Sequence, residues 1–134
     1  MTAAAMQATP ALAAKLATLA QDADTLGLKS LAVECTVQRA EALFNLGKRE
    51  DAQREAERAI AQAETFGFRV SLARAHFVRG EVLRQNGNAE ARTDYAAALR
   101  LLDEIKGEEG SQAVFARADL GPMREACVRW SKAT

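Results

Sequence analysis

The chain has 134 residues and a formal net charge of zero, 18 basic side chains against 18 acidic ones. That length suits one domain, able to bury roughly two-thirds of its unfolded surface. About 30 residues are alanine, the strongest helix former, while the β-branched and aromatic residues that favour strands are sparse, which excludes a β-rich fold.

Charge and hydropathy exclude further classes. Residues 1–67 carry 7 basic and 9 acidic side chains and residues 68–134 carry 11 and 9, so neither half offers a phosphate-neutralising surface and no nucleic-acid partner is expected. No apolar run approaches the ~20 residues that cross a bilayer, so no membrane partner is expected. Met1–Ala20 lacks a basic start before its apolar part and makes a poor signal peptide, so a cytoplasmic location is expected. Cys35 and Cys127 show no metal-type spacing and are read as two free thiols of a reducing compartment.

In chain order, the apolar spacing predicts helices over about 11–26, 30–46, 50–66, 70–86 and 89–105, then a C-terminal region. In the first, Leu12, Leu16, Leu19, Ala20, Ala23 and Leu26 form one stripe. Gly27, Gly47, Gly67 and Gly87 mark the ends of the first four, as left-handed C-cap residues. The C-terminal region is expected to break at Gly121-Pro122, giving a short helix near 111–118 and a final one near 122–132. Met123, Ala126, Cys127 and Trp130 make the apolar stripe of that last helix.

The helices repeat. A shift of 40 residues lays Ser30–Gly47 over Val70–Gly87 and matches Gly27 with Gly67, Arg39 with Arg79, Glu41 with Glu81, Leu43 with Leu83 and Gly47 with Gly87. A shift of 39 then matches Ala52, Ala56, Ala59, Ile60 and Ala63 with Ala91, Tyr95, Ala98, Leu99 and Leu102. The first helix overlies the third, so it is the second half of a unit. This divides a single domain into a half-unit (11–27), repeats 28–67 and 68–107, and a capping region (108–134).

Helix pairs of this period, with small residues at their crossings, describe an all-α α-solenoid of antiparallel pairs, right-handed if it follows the family its residues resemble. The residues Ala40, Leu43, Gly47, Ala52, Ala56, Ala59 and, in the next unit, Gly80, Leu83, Gly87, Ala91, Tyr95, Ala98 resemble the tetratricopeptide repeat, in a long variety similar to that of bacterial signalling proteins. Ala56 departs from the expected aromatic, and no proline closes either unit. The resemblance implies a non-catalytic module that binds a partner protein or peptide on a concave face. An alternative is the ligand-sensing regulatory arm of a bacterial kinase or transcription activator.

By the same resemblance the concave face carries Glu34, Val37, Glu41, Phe44 and Asn45 in one unit, and Arg74, Phe77, Glu81, Arg84 and Gln85 in the next. Phe44 and Phe77 are either groove anchors or packing residues. Val37, Glu41, Phe77 and Glu81 stand where chaperone-tail binders hold a carboxylate with Lys and Asn, so that clamp is absent, and Glu41 with Glu81 favours a basic or neutral ligand. Arg39–Glu55 and Arg79–Asp94 are expected ion pairs joining the two helices of each unit. His76, the only histidine, reads as a packed residue; no nucleophile–base pattern, metal spacing or phosphate loop is present, so no enzyme and no cofactor are expected. A second copy of the chain, meeting it through the terminal half-units, is a further expected partner.

Overall fold

The structure is a computed structural model, and it describes residues 9–106 and 120–132. All secondary structure among these residues is helical: α1 (Pro10–Thr25), α2 (Lys29–Asn45), α3 (Arg49–Phe66), α4 (Arg69–Gln85), α5 (Ala91–Lys106) and α6 (Leu120–Ser131). Each helix packs against the next in chain order, and α2 also packs against α4.

The turns explain the short connections. Gly27, Gly47, Gly67 and Gly87 have φ between +72° and +81°, the left-handed conformation in which a Cβ is disfavoured. After α2, Gly47 N–H donates to the Phe44 carbonyl (3.0 Å) and Lys48 N–H to the Leu43 carbonyl (2.9 Å), which satisfies the last carbonyls of the helix. The Lys48 carbonyl then accepts from Ala52 N–H (2.9 Å). One residue thus finishes one helix and starts the next. α2, α3 and α4 have no side-chain cap at their N-termini, whereas α1 begins with Thr9, whose side chain accepts from Leu12 N–H at 3.0 Å, followed by Pro10 in the first turn.

Two boundaries differ from expectation. α5 starts at Ala91 rather than 89, because Asn88 forms a tighter turn: its Oδ1 accepts from Glu90 N–H (2.8 Å) and its carbonyl from Ala91 N–H (3.1 Å). This is where the second repeat lacks one residue. The last helix starts at Leu120, so Gly121-Pro122 lies within its first turn, where N–H groups have no helical partner and a proline costs little. The short helix expected near 111–118 lies outside the described residues.

The core runs along the helix crossings. Ala40, Ala56 and Val78 form one cluster, and Val37, Ala59, Ile60 and Ala75 another. The largest joins α4, α5 and α6 through Leu83, Tyr95, Leu102, Leu120, Met123 and Cys127. Both cysteines are free and buried, and burial pushes the Cys127 thiol up to about 12.

Candidate interaction face and its buried polar ties

Each repeat ties its two helices with an arginine and an acid. Arg39 on α2 places Nη1 3.2 Å from Glu55 Oε2 on α3, and its Nε donates to the Ala13 carbonyl of α1 at 3.1 Å, so one guanidinium links three helices. Arg79 on α4 donates through Nε and Nη2 to the two carboxylate oxygens of Asp94 on α5, both at 2.9 Å. A planar guanidinium meeting a carboxylate with two bonds fixes orientation as well as distance.

The second tie has a third member that sequence spacing did not reveal. His76 Nδ1 lies 2.8 Å from Asp94 Oδ1. An ionised carboxylate only accepts, so the ring proton sits on Nδ1 and donates. Burial acts to raise the Asp94 pKa, but the hydrogen bonds from His76 and Arg79 and the arginine charge outweigh it and hold the carboxyl below its usual value. His76 is thus a satisfied, half-buried group with its acid eighteen residues along the chain, on another helix. Only its place one turn before Arg79 hinted at the connection.

The residues expected on the concave face separate into four groups. Val37 is 1% exposed and packs in the core with Ala59, Ile60 and Ala75, which corrects its assignment as a surface contact: its position on α2 points into the α3 and α4 crossing. Phe44 and Phe77 are half-buried. Phe44 packs on the cluster of Ala13, Leu43, Ala52 and Val82, and Phe77 stands edge-on to Tyr95 with ring centroids 5.9 Å apart. Glu34, Asn45 and Gln85 are exposed.

Four charged members of the face, Glu41, Arg74, Glu81 and Arg84, are engaged in pairs. Arg74 on α4 reaches Glu41 on α2 at 3.1 Å, bridging the repeats. Glu81 accepts from Arg84 Nη2 (3.1 Å) and from the Tyr95 hydroxyl, and Tyr95 also accepts from Arg84 Nε at 3.0 Å. Arg84 lies over the Trp130 ring of α6, 4.1 Å from its centre. Burial and the Glu81 hydrogen bond both push the Tyr95 hydroxyl pKa up, so it stays protonated and donates. Glu41 and Glu81, expected to favour a basic or neutral ligand, each face an arginine. The role of Tyr95 and Trp130 in this network follows from α5 and α6 converging on α4.

Between α1, α2 and α3 lies a polar cleft of about 290 Å³, lined by Gln21, Asp24, Arg39, Glu55, Arg58 and Gln62 among others. Among the described residues, no group of three or more His, Cys, Asp or Glu is placed to hold a metal ion, and no helix is long and apolar enough to cross a membrane. Comparison with protein-family models, with curated proteins and with solved structures gives no match for the chain.

Proposed function

We propose that the chain is a tetratricopeptide-like α-solenoid of antiparallel helix pairs. It acts without catalysis, binding a partner protein or peptide on a concave face lined by α2 and α4. The observation that carries this reading is the contact of α2 with both α3 and α4, joined across the repeats by Arg74–Glu41. First helices that stack directly on one another are what builds a continuous face in a repeat array. That face offers half-buried aromatics, Phe44 and Phe77, beside the exposed polar groups Glu34, Asn45 and Gln85. Aromatic and arginine side chains held in place by packing are the usual anchors of such interfaces. With Glu41 and Glu81 neutralised, the face suits an uncharged amphipathic peptide better than a strongly basic one.

The test is site-specific photo-crosslinking in the parent organism's lysate. A photoreactive residue at Asn45 or Gln85 is expected to capture one common protein, whereas the same residue at the exposed Ala61 of α3 or Arg100 of α5 captures none of it. Equal capture from α3 and α5, or no common protein from α2 and α4, overturns the reading.

A further inference from the structure

α1 carries an exposed seam on the flank away from α3. Leu12, Leu19 and Leu26 recur every seven residues with Lys15 and Asp22 between them, the spacing at which a helix presents one line to a partner helix. Leu19 is 43% and Leu26 73% exposed, Lys15 and Asp22 are exposed, and Leu12 is half-buried. The buried residues of α1, Ala13, Leu16 and Ala23, lie beside this seam, so the apolar stripe of the helix is covered along one edge and open along the other. Leu31 of α2, 49% exposed, adds to the apolar surface of this end.

The repeat shows what kind of helix this seam can receive. Under the 40-residue shift, Leu12, Lys15 and Leu19 overlie Ala52, Glu55 and Ala59 of α3. On α3 those residues seat its own first helix: Ala52 clusters with Leu43, Glu55 pairs with Arg39 at 3.2 Å and Ala59 clusters with Val37. On α1 both close-approach alanines are replaced by leucines, and the acid by a lysine. A first helix of the repeat type would overpack against Leu12 and Leu19 and would set its arginine against Lys15. The seam is therefore not shaped for another unit of the same kind.

It is complementary to itself. Lys15 and Asp22 lie about 10 Å apart along the helix axis. If a second α1 runs antiparallel across it, with the two-fold axis between Thr18 and Leu19, each Lys15 faces Asp22 of the second copy. The two Leu19 side chains then meet at the axis, and Leu12 and Leu26 close the ends. We propose that the α1 face is the interface of a two-fold homodimer, formed by antiparallel pairing of α1 with α1 of a second copy. A two-fold contact closes on itself and so stops at two chains.

Light scattering on the full 134-residue chain over a micromolar-to-millimolar series tests this. The mass is expected to rise from one chain to two and to level there. Leu19→Glu is expected to raise the dissociation constant by at least about tenfold, as loss of a central anchor does, with circular dichroism unchanged because the site is exposed. Lys15→Glu and Asp22→Lys are each expected to weaken the homodimer. Mixed together they are expected to form a heterodimer. The introduced glutamate of one variant then meets the introduced lysine of the other, while the native Asp22 of the first meets the native Lys15 of the second. A wild-type chain that stays single throughout overturns the proposal. So does a dimer indifferent to Leu19→Glu, or a pair of charge variants that fail to recover association on mixing.

Discussion

Asp94 is 2% exposed, the one buried charged side chain among the described residues, and it accepts hydrogen bonds from Arg79 Nε and Nη2 and from His76 Nδ1. A buried carboxylate without such donors would lose its hydration without replacement. Because its folded pKa lies below the unfolded value of 3.8, the carboxylate's contribution is fully present above about pH 4 and is lost as pH falls through the folded value. The wild-type chain should therefore lose denaturation midpoint as pH falls below about 4. Asp94→Asn should cost about 2 kcal/mol at neutral pH, with the gap to wild type narrowing under acid conditions. Urea unfolding at neutral and acid pH measures both; a gap that does not change with pH would count against the ionised triad.

At the scale of elements, the two repeats solve the same crossing with different residue sizes. In the first, Ala40 meets Ala56 in a cluster with Val78. In the second, Tyr95 replaces the small residue on α5, and Gly80 on α4 makes room: a Cβ there would lie 3.3 Å from two ring carbons of Tyr95 and 3.4 Å from Asp94 Cβ. The glycine lowers helix propensity but lets the tyrosine reach Glu81 and Arg84. Gly80→Leu should overpack this crossing by about 1–3 kcal/mol, a drop of roughly 5–10 °C in Tm by calorimetry. An unchanged melting curve would show that α4 and α5 do not approach as closely as described.

Over the whole molecule the packing is uneven. Its largest buried cluster lies at α4, α5 and α6, with Tyr95, Ala98 and Leu102 fully buried on α5 alone. α1 buries only Ala13, Leu16 and Ala23 among its described residues. Local opening follows such differences in buried contact. In dilute solution, hydrogen exchange is expected to be fastest in α1 and slowest in α5. Equal protection of the two helices at low concentration would contradict this gradient, while protection of α1 that grows with concentration is what the dimer predicts.

Much of this was readable before any tertiary contact was known. The helices and the four left-handed glycines follow from local rules, because turn geometry and side-chain period repeat with the chain and internal similarity shows each rule twice; the candidate Arg39–Glu55 and Arg79–Asp94 pairs came instead from the recurrence of both charges and the family resemblance. Val37 marks where such reasoning stopped, because face assignment by resemblance cannot tell a groove residue from one at the junction of three helices. The Gly121-Pro122 pair marked a break, but whether helix begins before or after it depends on which residue first packs, and Leu120 is 1% exposed in the core. By itself, then, the sequence determined an all-helical chain of about 40-residue units with small residues at their crossings. Only the tertiary structure decided that His76 shares Asp94 with Arg79, that Glu41 faces Arg74 and that Trp130 lies over Arg84. Those contacts join residues 15 to 46 positions apart on different helices, and such distances are set by packing rather than by spacing along the chain.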